Sequence, residues 1–291
     1  MADTGIHGFG AYVPITRLQR SAIHAANGWF AGGLKGLAKG EKAVTGWDED
    51  SITMAVEAAR DLYDDAPRQP DSITLASTTH VFADRQNAGV VKEALNLADA
   101  TGALDVGGSQ RAATSSLIAA LDAAAAGKTT LHLAAERAIP TPASEREMLA
   151  GDAASALLVG PGAGIARLIT SHSVTQDFVD HFREAGEDAN YDWEARWVRD
   201  EGFGKIAVPA LKDALAKAGI EGSKVSCLLP PSRCAACRTC WQSRPASPPK
   251  RLPMCWAQAL AMRARRRSAP ANDTCSHTQS RMRRARRSSP E

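Results

Sequence analysis

Aromatic residues are scarce in this chain, at 5% of its 291 positions, and no run of 18 apolar residues occurs in it. The second absence excludes a membrane-spanning helix, which needs a stretch of about that length. The first residues are acidic and glycine-rich, without a basic segment followed by an apolar one. No secretory leader is read there, and a cytoplasmic protein is the expectation. All six cysteines lie at or beyond Cys227, so nothing ahead of that point offers a thiolate. What is abundant is Ala, Val, Leu and Ile, within a hydrophobic share of 44%. That suffices to bury a sizeable core in one large domain or two ordinary ones.

The net charge of +3 sums two unlike pieces. Residues 231–291 carry 14 Arg and Lys against 2 acidic residues, a balance of +12. The totals of 35 basic and 32 acidic residues therefore leave 21 and 30 in the first 230, a balance of −9. From Ser232 onward Arg, Pro, Ser, Ala and Cys dominate and apolar periodicity fails. Such a stretch has too little apolar order to offset the entropy of folding. It reads like a GC-rich frame translated out of register, and the expectation is a basic, disordered or out-of-frame tail over 229–291. Cys234, Cys237 and Cys240 overlap instead of forming two separated Cys-x-x-Cys pairs, so no zinc site is assigned. The clusters Arg265–Arg267 and Arg283–Arg287 lack interleaved aromatics and a nucleic-acid module, so only nonspecific polyanion binding is read there.

The first 228 residues alternate strand and helix patterns, as α/β proteins do. Strands are expected at Ile6–Val13, Ser72–Ser77, Ala103–Val106, Thr130–Ala135 and Ala153–Val159. In Asp48–Tyr63, apolar Ile52, Ala55, Val56, Ala59 and Leu62 fall on one helical face, with Asp48 or Asp50 able to cap the start. Ala112–Ala126 is so rich in Ala and Leu that a nearly buried helix is expected. Ile206–Ala218 is a further helix, ended by Gly219. Val174–Phe203 carries many charges together with Trp193 and Trp197. It reads either as an excursion that covers a site or as a surface helix with its Trp residues packed inward.

The stretch Leu104-Asp-Val-Gly-Gly-Ser-Gln110-Arg-Ala-Ala-Thr114 joins a strand to a helix. A strand turning sharply into a helix presents free backbone N–H groups and the positive end of the helix dipole to a pocket. A thioester oxyanion is stabilised by such donors. Taken alone, Gly-Gly ahead of a helix is most often only a tight turn.

Three segments carry a resemblance. Gly5-Ile-His-Gly-Phe-Gly-Ala-Tyr-Val-Pro14 resembles the opening strand of hydroxymethylglutaryl-CoA synthases and type III ketoacyl synthases. Glu41–Arg60 is similar to the first long helix of the archaeal and bacterial synthases. Gly151-Asp-Ala-Ala-Ser-Ala-Leu-Leu-Val-Gly160 resembles the segment closing the first half of that fold. The resemblance is to the thiolase superfamily and covers residues 5–228. It implies a thiolase-like layered α/β fold in which helices sandwich a mixed five-stranded sheet, with the first half complete and the second largely missing. The implied division is residues 1–165 as the N-terminal half and 166–228 as the covering excursion and the start of the second half.

By the same resemblance, the nucleophilic cysteine position is occupied by Gln110 and the general acid/base position by Thr78. A glutamine cannot form a thioester, and a threonine has no useful pKa near neutrality. Ser109 and His80 are the neighbouring candidates, Ser109 otherwise satisfying the helix N-terminus and His80 otherwise packing in its loop. The resemblance implies an acyltransferase of lipid-type metabolism acting on acyl-CoA or acyl-carrier thioesters, with coenzyme A entering as substrate and no further cofactor or metal. It also implies a homodimer and a small zinc-ribbon and OB-fold partner protein, with no specific nucleic acid and no membrane. With Gln110 at the nucleophile position, three functions remain open. They are condensation by an unusual residue set, decarboxylation of a malonyl-type thioester, and noncatalytic thioester binding.

Overall fold

The computed structural model of the protein describes residues 3–63 and 69–225 together with Leu228. The stretch 229–291, with its cysteine triplet and arginine clusters, lies outside the described residues. The elements are, in order, β1 (Thr4–Tyr12), β2 (Arg17–Gln19), α1 (Arg20–Asn27), β3 (Glu41–Ala43), α2 (Ser51–Tyr63), β4 (Ser72–Ala76), α3 (Asn87–Ala94), β5 (Gly102–Val106), α4 (Ala112–Ala125), β6 (Thr130–Glu136), α5 (Glu145–Leu149), β7 (Ala153–Pro161) and β8 (Ala166–Arg167). After these come β9 (His181–Phe182), β10 (Tyr191–Asp192), α6 (Ala195–Trp197), a π-helical stretch Val198–Ala207 and α7 (Val208–Ala218). Among the described residues no helix is long and apolar enough to cross a membrane.

One six-stranded sheet runs in the order β5-β4-β6-β7-β1-β8. The five long strands are those the alternation predicts, and two-residue β8 adds an edge. β4 lies parallel to both β5 and β6, because the helical crossovers α3 and α4 return the chain to the same end of the sheet. β6, β7, β1 and β8 then pair antiparallel.

Side-chain alternation gives the sheet two packed faces. Leu131, Leu133, Ala154, Ala156 and Leu158 point to the face covered by α2 and α3, where Met54, Ala55, Ala58, Leu62, Ala88 and Val91 complete the main core. Leu157 and Val159 point the other way, onto Leu117, Ala120, Leu121 and Ala124 of α4. Each fully buried Leu or Ile contributes roughly 1.5–3 kcal/mol. Asp50 opens α2 as the sequence allowed. Its Oδ1 accepts from the Thr53 N–H at 2.8 Å, and Thr53 Oγ1 accepts from the Asp50 N–H at 2.7 Å. Gly10 on β1 permits α2 to lie close, since a Cβ there would sit 2.2 Å from the Ala58 carbonyl oxygen.

Two expectations differ from the structure. The helix α4 is buried on one side only, at Ala112, Ser116, Ala120, Leu121 and Ala124. Thr114, Ser115, Ala119 and Asp122 are exposed, because the sheet covers a single face of the helix. In the stretch 174–203 the two-residue pairing β9–β10 is followed by helical turns from Ala195 onward, and its Trp193 and Trp197 are nearly half exposed at 45% and 46%. Trp197 stacks on Phe178 with ring centroids 6.1 Å apart instead of entering the core.

Candidate functional site

The parallel strands β5, β4 and β6 end side by side, with Ala76 opposite both Val106 and Ala134. In open α/β sheets, the groups that follow the carboxyl ends of such strands line the usual ligand crevice. Here those groups are Ser77–His80 after β4, Gly107–Arg111 after β5, and Glu136 closing β6.

Gly107 and Gly108 turn β5 into α4. Gly108 has φ +77°, a left-handed conformation that glycine adopts without strain. At Gly107 a Cβ would meet the Ser77 carbonyl oxygen at 3.3 Å and the His80 ring at 3.4 Å, so the two loops touch. Ser109 Oγ accepts from the Arg111 N–H at 3.1 Å, and the Ser109 carbonyl accepts from the Ala112 N–H at 2.9 Å. The Ser109 hydroxyl oxygen thereby supports the first turn of α4 as an acceptor.

Gln110 is exposed at the start of α4. Its carboxamide oxygen accepts from Arg146 Nη1 at 2.9 Å and Nη2 at 3.1 Å. That pairing sets the amide orientation, since the reverse would place N–H groups against N–H groups. Arg146, from α5, has its side chain only 11% exposed and donates from Nε to both carboxylate oxygens of Asp192 at 3.1 Å. Glu145 beside it is held above the ordinary carboxylate range by burial and by the charge of Asp192.

After β4, Thr78 turns toward β6. Its N–H donates to Glu136 Oε2 at 3.0 Å and its hydroxyl to Oε1 at 2.7 Å. Arg183 donates to the Thr78 carbonyl. His80 Nε2 faces the Val106 carbonyl at 3.3 Å, and a carbonyl can only accept, so the proton sits on Nε2. Nδ1 of His80 is enclosed and has no hydrogen-bond partner among the described residues. Asp105, on β5, reaches the start of α3, accepting from the N–H groups of Asn87 at 2.7 Å and Ala88 at 2.6 Å and from Asn87 Nδ2 at 2.9 Å. Burial pushes its carboxyl up, but these bonds, with His80 nearby, outweigh it and hold the group below its ordinary value.

Thr78, His80, Ser109 and Gln110 thus lie at one end of the sheet, although no hydrogen bond joins any two of them among the described residues. Sequence reasoning missed their partners Glu136, Arg146, Arg183 and Asp192. For Glu136 a signal existed, a carboxylate directly after the expected strand Thr130–Ala135. For the others the signal was absent, because their role depends on where the 174–192 stretch crosses. That stretch also places the Val174 carbonyl 3.0 Å from Arg111 Nη1 and the Asn190 carbonyl 2.8 Å from Thr141 Oγ1.

No protein-family model matches the chain. The hydroxymethylglutaryl-CoA synthase of Aeropyrum pernix is 35% identical over 188 residues, 62% of this chain and 52% of the relative. That of Pyrococcus furiosus is 31% identical over 194 residues, 64% of this chain and 54% of the relative. The chain spans about half the length of these curated relatives. Among solved structures, a 3-oxoacyl-(acyl carrier protein) synthase III from Pseudomonas aeruginosa matches with a TM-score of 0.66 at 19% identity, over 77% of this chain and 74% of that one. A hydroxymethylglutaryl-CoA synthase solved with CoA matches with a TM-score of 0.61 at 19% identity, over 75% and 56%. The structural likeness is one of fold: the sheet and its helices are thiolase-like.

Proposed function

We propose that this chain, whose fold is thiolase-like and whose sequence is similar to hydroxymethylglutaryl-CoA synthases, acts on acyl thioesters of coenzyme A or of a carrier protein without becoming acylated. The names of its relatives supply the substrate class. The observation that carries the reading is Gln110, exposed at the first turn of α4 with its oxygen held by Arg146. Its carboxamide N–H groups are left as donors, and a thioester carbonyl is an acceptor they suit. Gln110 occupies the position the resemblance assigns to a nucleophile, and an amide cannot take up an acyl group. The relatives' condensing chemistry therefore loses its covalent route here.

The reaction that needs only a polarised carbonyl is decarboxylation of a malonyl-type thioester. The bond from the α-carbon to the carboxylate breaks, carbon dioxide leaves, and the electron pair moves onto the thioester oxygen as an enolate. Donors aimed at that oxygen stabilise it, then the α-carbon is reprotonated from water. Noncatalytic thioester binding is the second reading. The setting we assign is cytoplasmic, in a homodimer formed along the open edge of β5, where Leu104 is 56% exposed. A small zinc-ribbon and OB-fold partner remains part of this proposal.

The test supplies malonyl-CoA to the purified chain and follows acetyl-CoA formation, with intact mass recorded after incubation with acetyl-CoA. Turnover without any protein adduct is expected, and Gln110→Ala should lower it about 10²–10³-fold, the usual cost of one oxyanion donor. Binding without turnover leaves the noncatalytic reading. An acetyl adduct on Ser109 would replace both with a serine mechanism.

A further inference from the structure

Each nitrogen of the Arg146 guanidinium has a partner. Nε donates to both carboxylate oxygens of Asp192 and Nη2 to Oδ1, all at 3.1 Å. Nη1 and Nη2 also donate to the Gln110 oxygen at 2.9 and 3.1 Å. The guanidinium is a rigid planar fork, so an acceptor that fixes one edge also fixes the direction of the other. Asp192 fixes the first edge, and its charge offsets the burial of a cation that is only 11% exposed. The place of Asp192 is itself set from several sides. It pairs with His181 across β9–β10, the Asn190 carbonyl accepts from Thr141 Oγ1 at 2.8 Å, and the Trp193 N–H donates to the Asp180 carbonyl at 2.9 Å. Gln110, by contrast, is exposed, and the terminal torsion of a glutamine is broad when nothing holds it. With its oxygen on a cation, only the N–H groups are left to face a ligand, and the charged partner polarises them into stronger donors.

We propose that Asp192 and Arg146 are positioning residues for the Gln110 amide, so that the 174–192 stretch sets the donor that a thioester meets without touching the thioester itself. The inference rests on the acyl-thioester reading above and extends it to the control of that site. Arg146 acts through its grip on the amide oxygen, and Asp192 acts one step further back, through Arg146. Lifting β9 and β10 away from α5 would remove the donor while Gln110 stays in place. On this assignment the excursion serves the site by orienting a group in it.

The test reads the side-chain amide of Gln110 by magnetic resonance in the isotope-labelled full chain, its hydrogens identified by their loss in Gln110→Ala. Without ligand, Asp192→Asn should move these resonances toward those of a solvent-exposed glutamine. Asp192→Glu keeps the charge and should recover part of the shift, with matching circular dichroism in all variants. Adding malonyl-CoA should shift the resonances in the unaltered chain and not in Asp192→Asn. Asp192→Asn should lower kcat for malonyl-CoA about tenfold or more, within the 10²–10³-fold worth of a whole donor, and change KM less than about threefold. In a Gln110→Ala chain the same substitution should cost less than about twofold, because a residue acting through Gln110 has nothing left to act on. Resonances unmoved by Asp192→Asn overturn the proposal, as does a loss of turnover that is undiminished in the Gln110→Ala chain. Binding of malonyl-CoA that leaves the Gln110 resonances of the unaltered chain in place also overturns it. Failure of the unaltered chain to bind malonyl-CoA overturns this role together with the thioester reading beneath it.

Discussion

His132 shows how one buried side chain ties stability to pH. It lies on β6, 3% exposed, facing α4, with Nδ1 at 3.1 Å from Thr74 Oγ1 and 3.4 Å from Ser116 Oγ. Burial lowers its pKa to about 4, against a smaller opposing contribution from the Ala113 backbone. The unfolded chain therefore binds a proton near pH 6.5 that the folded one refuses until about pH 4, so stability rises with pH across that window. Acidifying from pH 7 to pH 4 should remove roughly 2–3 kcal/mol through this residue. Urea titrations at several pH values would check it, with His132→Gln showing a flatter dependence. Equal slopes in both proteins would assign the acid sensitivity elsewhere. Asp105 acts in the same pH direction from a lower starting point, since its three accepted bonds favour the charged form.

Among the elements, the 174–192 stretch depends most on a few polar contacts. Three of them reach the sheet end: Arg111 to the Val174 carbonyl, Arg183 to the Thr78 carbonyl, and Arg146 to Asp192. Arg146 is central because it serves both Gln110 and Asp192 from a nearly enclosed position. Arg146→Ala should leave the Asp192 carboxylate without its forked partner, free the Gln110 amide to rotate, and loosen β9 and β10. Hydrogen exchange should rise several-fold in 181–192 while the strands of the main sheet keep their protection. Unchanged exchange there would mean that the Phe178–Trp197 stacking holds the stretch instead. The helix α3 was missed in the sequence for a related reason. Its N-cap, Gln86, makes no side-chain cap bond, and Asp105 from β5 supplies the acceptors. The strands β2, β3, β9 and β10 have two or three residues each, too few for a period of two to register.

For the whole molecule, the expectation is that the 291-residue chain supplied with acetyl-CoA and acetoacetyl-CoA forms no condensation product above background. Losing a nucleophile removes the covalent route altogether, whereas losing a general acid or base costs about 10²–10⁴ in rate. Product formation at rates typical of enzymes, about 1–10³ per second, would refute that expectation.

The sequence by itself determined the order of the long strands and helices, the turn at Gly107 and Gly108, a cap of α2 at Asp48 or Asp50 and the placement of Thr78, His80, Ser109 and Gln110 just beyond strand ends. Each of these follows from spacing within a few residues, where the periods of strand and helix and the freedom of glycine are legible. Only the tertiary structure decided which of those strand ends meet, and with what. Thr78 and Glu136 are 58 residues apart, and Arg146 and Asp192 are 46 apart. Such partners share no local period, and parallel pairing through two helical crossovers is what brings the first pair together. The physical reason is that periodicity reports which way a side chain faces, while the sheet order reports what it faces.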